Sequence, residues 1–383
     1  MNAACPSPAD AAAARPLRVA IACGGTGGHI FPGLATAEVL RERGHEVTLW
    51  MAGKDVESAA VKGWSGALIT VPSRGLPSPL SPHFLPALVR LLRAMRTCRK
   101  LMRKNPPDVL LAMGSYASAG PVWAARRHRV PVVLHEANVV PGRAIRFFAR
   151  RATAVAASFE ASRYYLQKTK LTITGMPIRR DLERASRELQ RAPSGDRHNV
   201  MVLGGSRGAR RLNEVAVDAF ALLHERGVPV QPIHLTGKAD EPRVRAAYAK
   251  AGVAAEIIAF TTNMAPLYSA ADLAICRAGA STCAELLAFG VPALLVPYPH
   301  AAADHQTANA KAMVRLGAAD YVPEANLSAA WLADYLAERC RNRAKLAAMS
   351  KAGHAHRECC GAEALADLVE KTGREKLANG KKP

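Results

Sequence analysis

Four glycines, Gly24, Gly25, Gly27 and Gly28, surround Thr26 and lead directly into His29. A short apolar run, Leu17 to Ala22, precedes them and reads as a buried strand. A helical pattern, Leu34 to Arg43, follows and stops at Gly44. Glycines at a strand-to-helix turn let a ligand approach the backbone, because no side chain stands in the way. The helix start adds free N–H groups and a positive dipole end, which suit an anion such as a phosphate. A histidine there brings a group whose ordinary pKa lies near neutrality, where proton transfer works best. Plain tight packing of helix on strand uses the same glycines. The spacing differs from the dinucleotide fingerprint G-x-G-x-x-G, which argues against a nicotinamide cofactor.

The arrangement recurs. Val200 to Leu203 reads as a strand, Gly204-Gly205-Ser206-Arg207-Gly208-Ala209 follows, and a helical pattern starts at Arg210. Ser206 and Gly208 sit where a diphosphate would meet backbone N–H groups, and Ser206 equally fits a helix cap. Thr282-Cys283-Ala284-Glu285 also carries two readings. It matches the capping box S/T-x-x-E, and its carboxylate can accept from two adjacent sugar hydroxyls. No D-x-D pair is present to hold Mg²⁺ on a diphosphate, and the eight cysteines show no C-x-x-C spacing. Neither a metal nor a cofactor is expected.

The elements that must position these residues alternate. Strand candidates are Glu46–Trp50, Asp108–Ala112, Val132–His135 and Leu171–Thr174 in the first half. In the second half they are Val200–Leu203, Ile233–Thr236, Glu256–Phe260, Leu273–Cys276 and Ala293–Pro297. Helical patterns such as Phe84–Lys104 and Ala119–His128 lie between. This alternation predicts an α/β fold of two doubly wound, Rossmann-like domains facing a cleft. A length of 383 residues suits two domains, and a 49% hydrophobic content supplies two cores. The expected boundaries are a disordered tail over 1–16, a first domain over 17–183, a linker over 184–198 and a second domain over 199–356. Residues 357–383 form a C-terminal helix that can return to the first domain, with a basic end from Arg374.

The Ala- and Pro-rich start lacks a signal peptide's basic and apolar regions, and no apolar run nears the roughly 20 residues that span a bilayer. Scattered cysteines read as free thiols in a reducing compartment. The formal charge of +21 favours an anionic partner such as phosphate, nucleic acid or anionic lipid. Nucleic-acid binding would rest on that charge alone, since no RNP-type aromatic pattern or zinc-finger spacing is present.

In these motifs the chain resembles the MurG family of peptidoglycan glycosyltransferases. The resemblance runs from about Leu17 to about Leu368. It rests on Gly24–Gly33, Met113-Gly114-Ser115-Tyr116, His135–Asn138, Gly175-Met176-Pro177-Ile178-Arg179, Gly204–Ala209, Cys276–Glu285 and Asp304–Asn309. The chain departs from the family pattern at Ser115, Ala137 and Met176, where Gly, Gln and Asn are common. The resemblance implies the two-domain GT-B fold and metal-independent, inverting transfer of N-acetylglucosamine from UDP-N-acetylglucosamine. The acceptor would be lipid I, at the cytoplasmic face of the membrane. Other GT-B enzymes, a nucleotide-sugar epimerase or a different lipid glycosyltransferase, share the fold.

Carried onto this sequence, the resemblance implies substrate contacts at Thr26, Gly27, Gly28, Tyr116 and Arg277, and at the diphosphate turn with Ser206 and Gly208. Ala280, Ser281, Thr282, Cys283, Ala284 and Glu285 would line the nucleotide, with Glu285 on the ribose and the main chain near Thr261 on the base. Gln306 and Asn309 would hold sugar hydroxyls beside His305, Asn138 would face sugar or acceptor, and Arg179 would neutralise phosphate. His29 is the first candidate for general base, with Glu136 and Asp304 as alternatives.

For the membrane, Pro82 to Lys104 holds no acidic residue. Leu88, Leu91, Leu92, Met95, Cys98 and Met102 fall on one helical face, and Arg90, Arg93, Arg96, Lys100, Arg103 and Lys104 on the other. That pattern fits either a helix packed on the sheet or a surface for anionic lipid, with Arg126, Arg127, Arg143 and Arg146 nearby in sequence and Leu80, Phe84 and Leu85 dipping into the interface.

Overall fold

The computed structural model describes residues 15–25, 27–53, 61, 63–71, 84–188, 197–204, 209–357 and 361–379. It divides into two compact units, one of residues 1–179 with 360–383 and one of residues 180–359.

The first unit holds a seven-stranded sheet in the order β3-β2-β1-β4-β5-β6-β7. Its strands are β1 (Arg18–Ala22), β2 (Glu46–Ala52), β3 (Ala67–Val71), β4 (Val109–Ala112), β5 (Val132–Glu136), β6 (Ala154–Ala157) and β7 (Leu171–Ile173). Every neighbouring pair is parallel. Side chains alternate across a strand, so β1 feeds two cores. Leu17, Val19 and Ile21 face one, with Val109 and Leu111 of β4. Ala20 and Ala22 face the other, with Leu110 and Ala112.

Helix α1 (Gly27–Glu42) covers the first core through Ile30, Leu34, Ala37 and Leu40. The C-terminal helix, Gly361–Asn379, supplies Ala362, Leu365, Ala366 and Val369 to the same core. Arg43 holds it from outside, with Nη1 2.7 Å from Asp367 and 2.9 Å from Glu370. Residues 374–379, read from composition as a basic end, are the last turns of this helix.

Helices α2 (Phe84–Lys104) and α3 (Ala119–Arg127) cover the second core. The buried stripe of α2 is Ala87, Ala94, Cys98 and Met102, whereas Leu92 is 46% exposed. The cause is a close crossing: a Cβ at Gly120 of α3 would lie 3.2 Å from Cys98 Sγ. Small residues occupy the contact, and Leu92 is turned outward. This differs from the apolar face expected from the sequence. Leu80, and the side chains of Phe84, Leu85 and Leu88, lie outside the described residues. A short helix, α4 (Arg143–Phe148), follows β5.

The second unit opens with α5 (Arg180–Glu188), helical where the sequence predicted a linker from 184. Buried Glu183 supports this helix, accepting from Arg180 at 3.0 Å and from Arg187 at 2.7 Å along it. Residues 189–196 are outside the described set. The sheet has six strands in the order β10-β9-β8-β11-β12-β13, again all parallel. They are β8 (His198–Leu203), β9 (Val230–Leu235), β10 (Glu256–Ile258), β11 (Leu273–Cys276), β12 (Ala293–Leu295) and β13 (Ala319–Tyr321). Helices α6 (Arg210–Glu225), α7 (Glu241–Lys250), α8 (Ala265–Ala270), α9 (Ala280–Phe289), α10 (His305–Arg315), α11 (Ala329–Arg341) and α12 (Arg343–Ala355) surround it. Its core packs Val200 and Val202 against Leu212, Phe220 and Leu223 of α6 and Leu332 and Leu336 of α11. No described helix is long and apolar enough to cross a membrane.

Candidate functional site

Both strand orders reverse at one place, between β1 and β4 in the first sheet and between β8 and β11 in the second. In open parallel sheets, ligands sit beyond the strand ends at such a reversal. The glycine turn after β1 falls at the first of these points, and β8 ends just before Gly204 at the second.

In the first unit, Gly24 and Gly25 have φ of 146° and 96°, which only glycine adopts without strain. The helix begins at Gly27, seven residues before its apolar pattern, and continues through Pro32. His29 therefore lies in the first turn of α1, not on a loop. Thr26 lies outside the described residues. From the 3-10 turn Tyr116–Ser118 that follows β4, Tyr116 brings its ring against the glycine turn, because a Cβ at Gly25 would lie 3.1 Å from Tyr116 Cε1. Ser115 holds Tyr116 in place by accepting from Ala117 N at 3.2 Å. The Arg179 guanidinium stands 5.7 Å from the Phe31 ring centroid on α1, bringing positive charge to the same helix.

His135 and Glu136 end β5, both buried. His135 Nε2 is 3.3 Å from Ser158 Oγ, which also donates to Met176 Sδ at 3.3 Å. Burial pushes the His135 imidazole down to about 4, and a positive charge on His29 acts in the same direction. Glu136 was a candidate base. Its Oε1 accepts from Asn138 N at 2.8 Å and its Oε2 from Gly142 N at 2.9 Å. Both oxygens are committed to the loop that carries Asn138, so the geometry makes Glu136 a support for that loop. Burial raises its pKa, and the two backbone N–H donors oppose the rise.

In the second unit, Gly205 to Gly208, including Ser206, lie outside the described residues. Helix α6 starts at Arg210, and its first turn is locked from behind. Asn213 is fully buried and donates to the Thr236 carbonyl at 2.9 Å and to Asp240 at 3.0 Å. Its oxygen lies 3.1 Å from His234 Nε2, and His234 Nδ1 lies 2.9 Å from Tyr248 Oη. Nothing in the one-dimensional pattern marked this network, because its members are 14 to 27 residues apart.

Helix α9 begins at Ala280 with Gly279 as its N-cap. Thr282 is thus already inside the helix, and the capping-box reading of Thr282 and Glu285 does not hold. Glu285 instead accepts from Tyr268 Oη at 2.7 Å while half-buried. Ala280 and Cys283 are buried, and Ser281, Thr282 and Ala284 are half-buried. Thr261 closes a small turn, with its Oγ1 accepting from Asn263 N at 3.0 Å. Beside it Phe260 is 59% exposed, with Lys238 Nζ 5.6 Å from its ring centroid.

Arg277 was expected to contact substrate. Its Nη1 donates to the carbonyls of Val296 at 3.2 Å and Pro297 at 3.3 Å, and its Nη2 to Glu324. Asn309 is fully buried and donates to the Ala278 carbonyl at 3.1 Å, tying α10 to the end of β11. That bond gives Asn309 a structural role within the second unit. His305 and Gln306 remain half-buried in the first turn of α10. Asp304 caps α10 without a side-chain hydrogen bond and is exposed. Among the described residues, no three His, Cys, Asp or Glu side chains are grouped to hold a metal ion.

Two parallel sheets of this topology, each with a strand-order reversal where a helix begins, define a GT-B glycosyltransferase. The comparisons agree. Residues 19–157 match the glycosyltransferase family 28 N-terminal domain, and residues 199–365 match the glycosyltransferase family 28 C-terminal domain. The chain belongs to glycosyltransferase family 28, in its MurG branch. It is 35% identical over 363 residues to the UDP-N-acetylglucosamine--N-acetylmuramyl-(pentapeptide) pyrophosphoryl-undecaprenol N-acetylglucosamine transferase of Geobacter sulfurreducens, covering 94% of this chain and 100% of that protein. It is 40% identical over 359 residues to the Bordetella pertussis enzyme of the same name, covering 93% and 98%. The crystal structure of Acinetobacter baumannii MurG superposes with a TM-score of 0.78 at 29% identity, covering 93% of this chain and 100% of that one. The calicheamicin glycosyltransferase CalG4, at 16% identity and a TM-score of 0.65, shares the fold.

The buried histidines give the fold a defined response to acid. His135 and His234 are both held at about 4 by desolvation, below the ordinary value of about 6.5. The unfolded chain therefore binds more protons between those values, and stability is complete above about pH 6.5 and falls as the pH drops towards 4. Thermal unfolding should show a melting temperature that decreases from pH 7 to pH 5. His234→Gln should lower stability at pH 7 and flatten the slope; an unchanged slope would contradict the assignment.

Proposed function

We propose that this chain transfers N-acetylglucosamine from UDP-N-acetylglucosamine to the 4-hydroxyl of N-acetylmuramic acid in lipid I, forming lipid II. The observation that carries the reading is the pair of helix starts, at Gly27 and Arg210, beside the two strand-order reversals. Full-length relatives named for this reaction support it.

The donor binds the second unit. Glu285 accepts from the ribose hydroxyls, and the backbone near Thr261 reads the base. Ser206, Gly208 and the N–H groups that open α6 hold the diphosphate. Negative charge grows on the departing UDP, and preorganised N–H donors stabilise it without a metal. Gln306 and His305 meet the sugar. In the first unit, His29 takes the proton from the acceptor hydroxyl as it attacks the anomeric carbon. One displacement inverts that centre. Tyr116 and Asn138 orient the acceptor, and Arg179 offsets phosphate charge.

The enzyme meets its lipid substrate as a peripheral protein on the cytoplasmic membrane face. Arg90, Arg93, Arg96, Arg99, Lys100, Arg103 and Lys104 of α2 are all exposed, and Val89 and Leu92 are each 46% exposed beside them. A basic residue near an anionic surface contributes on the order of 1 kcal/mol.

The direct test is incubation of the full chain with UDP-N-acetylglucosamine and a lipid I analogue in excess EDTA. The expected result is a disaccharide product at the rate seen without EDTA. No product under either condition would refute the function, and rescue by Mg²⁺ or Mn²⁺ would refute the metal-free mechanism. For the ribose contact, Glu285→Gln should leave the fold intact and weaken UDP by roughly 10- to 100-fold, as loss of a charged hydrogen bond implies. Unchanged UDP affinity by calorimetry would remove Glu285 from the ribose. For the membrane, Glu substitutions at Arg90, Arg93 and Arg96 should reduce co-sedimentation with anionic vesicles at low salt while UDP affinity holds. Equal co-sedimentation of variant and wild type would exclude this helix.

A further inference from the structure

We propose that Glu324 is a positioning residue for recognition of the donor sugar, acting through Arg277 on the loop that presents Gln306. The inference rests on the donor reading above and concerns Glu324 and Arg277, which contact no substrate in it.

Arg277 follows the last residue of β11, and its guanidinium is turned into the fold. Its side chain is 11% exposed and that of Glu324 is 19% exposed. An ion pair this sheltered is weakly screened, and removing one partner leaves the other charge with little water to replace it. The other guanidinium nitrogen spans two successive carbonyls, Val296 and Pro297, the first residues beyond β12. A planar group bonded at both places fixes the direction in which the chain leaves the sheet.

The next residue carries the effect onward. The Tyr298 ring centroid lies 5.6 Å from the Arg277 guanidinium. Tyr298 N donates to Gln306 Oε1 at 2.9 Å. This bond takes the carboxamide oxygen and leaves the Gln306 NH₂ group as the end offered to a ligand. A donor of that kind suits a sugar hydroxyl or an acetamido oxygen.

The intervening segment is short and folds on itself: Ala301 N donates to the Tyr298 carbonyl at 3.1 Å, Asp304 N donates to the Ala301 carbonyl at 2.9 Å, and His305 Nδ1 lies 2.8 Å from the Ala302 carbonyl. Ala302, Ala303 and Asp304 are exposed, and Ala303 and Asp304 have φ of 52° and 51°. Two consecutive non-glycine residues in the left-handed region persist only where the surroundings dictate the path. Arg277 dictates one end of that path, and Glu324, from the turn Glu324–Asn326 after β13, orients Arg277.

The test uses the full chain, with transfer kinetics for UDP-N-acetylglucosamine and calorimetry for UDP. Glu324→Ala should raise the KM for UDP-N-acetylglucosamine about tenfold, comparable to one lost hydrogen bond, with kcat and UDP affinity nearly unchanged. Glu324→Gln, which still offers an oxygen to Arg277, should restore most of the KM. In a Gln306→Ala background, Glu324→Ala should add little, because the two changes act on one contact. If Glu324→Ala does not fold, Arg277→Lys, which keeps a charge but not the paired carbonyl bonds, must give the same rise in KM. An equal loss of UDP affinity, or full additivity with Gln306→Ala, would overturn the proposal. A wild-type chain that binds no UDP would instead overturn the donor reading itself, before any variant is compared.

Discussion

Parallel pairing of every strand is the constraint on which the rest depends. It brings all the carboxyl ends of a sheet to one edge and requires a helix to carry the chain back each time. Those helices start at the same edge, so their free N–H groups collect there. Two strand-order reversals then open a place for a ligand in each unit. A diphosphate can be held at such a place by backbone and helix ends, and no acidic metal cage is required. The same constraint explains the return of the C-terminal helix. A parallel sheet must be covered on both faces, and Ala362, Leu365, Ala366 and Val369 complete the cover over one core of the first unit.

Around these edges, polar side chains divide into those the proposed mechanism uses and those that hold the fold together. Glu136 holds a loop, Asn213 and His234 lock the start of α6, Arg277 fixes the exit from β12, and Asn309 joins α10 to β11. Each satisfies buried backbone or side-chain groups that would otherwise be costly to leave unpaired. His29, Tyr116, Arg179, Glu285 and Gln306 are the ones to which the proposed mechanism gives chemistry and binding. Residue type alone does not separate the two sets. A carboxylate beside an asparagine looks catalytic in a sequence, and only its partners reveal that both oxygens are taken.

Much of the fold was legible. Val19–Ala22 and Val200–Leu203 are apolar runs followed by glycines, and both form buried strands. The limits of α2 were readable from its basic and apolar periodicity. Three strands were not. Ala154–Ala157 is nearly all alanine, which has low strand propensity, while Ala67–Val71 and the three-residue Ala319–Tyr321 lie at or near sheet edges with partial exposure. The start of α1 was also hidden, since Gly27, Gly28 and Pro32 disguise a helix that begins at the glycines themselves. The capping-box reading of Thr282 failed for a related reason: Gly279 starts the helix earlier than any side-chain cap would. Long-range pairs such as Arg277 with Glu324 leave no local signal at all.

The central claim is that these strand-end sites are built for a uridine nucleotide sugar. It is tested most directly by thermal unfolding of the full chain with UDP-N-acetylglucosamine, UDP, a GDP-sugar and NAD in turn. A ligand specific for the native state adds about 2.7 kcal/mol at a hundred times its Kd. The account predicts a raised melting temperature with UDP and UDP-N-acetylglucosamine, and none with NAD or the GDP-sugar. Stabilisation by NAD, with UDP and its sugar silent, would contradict it.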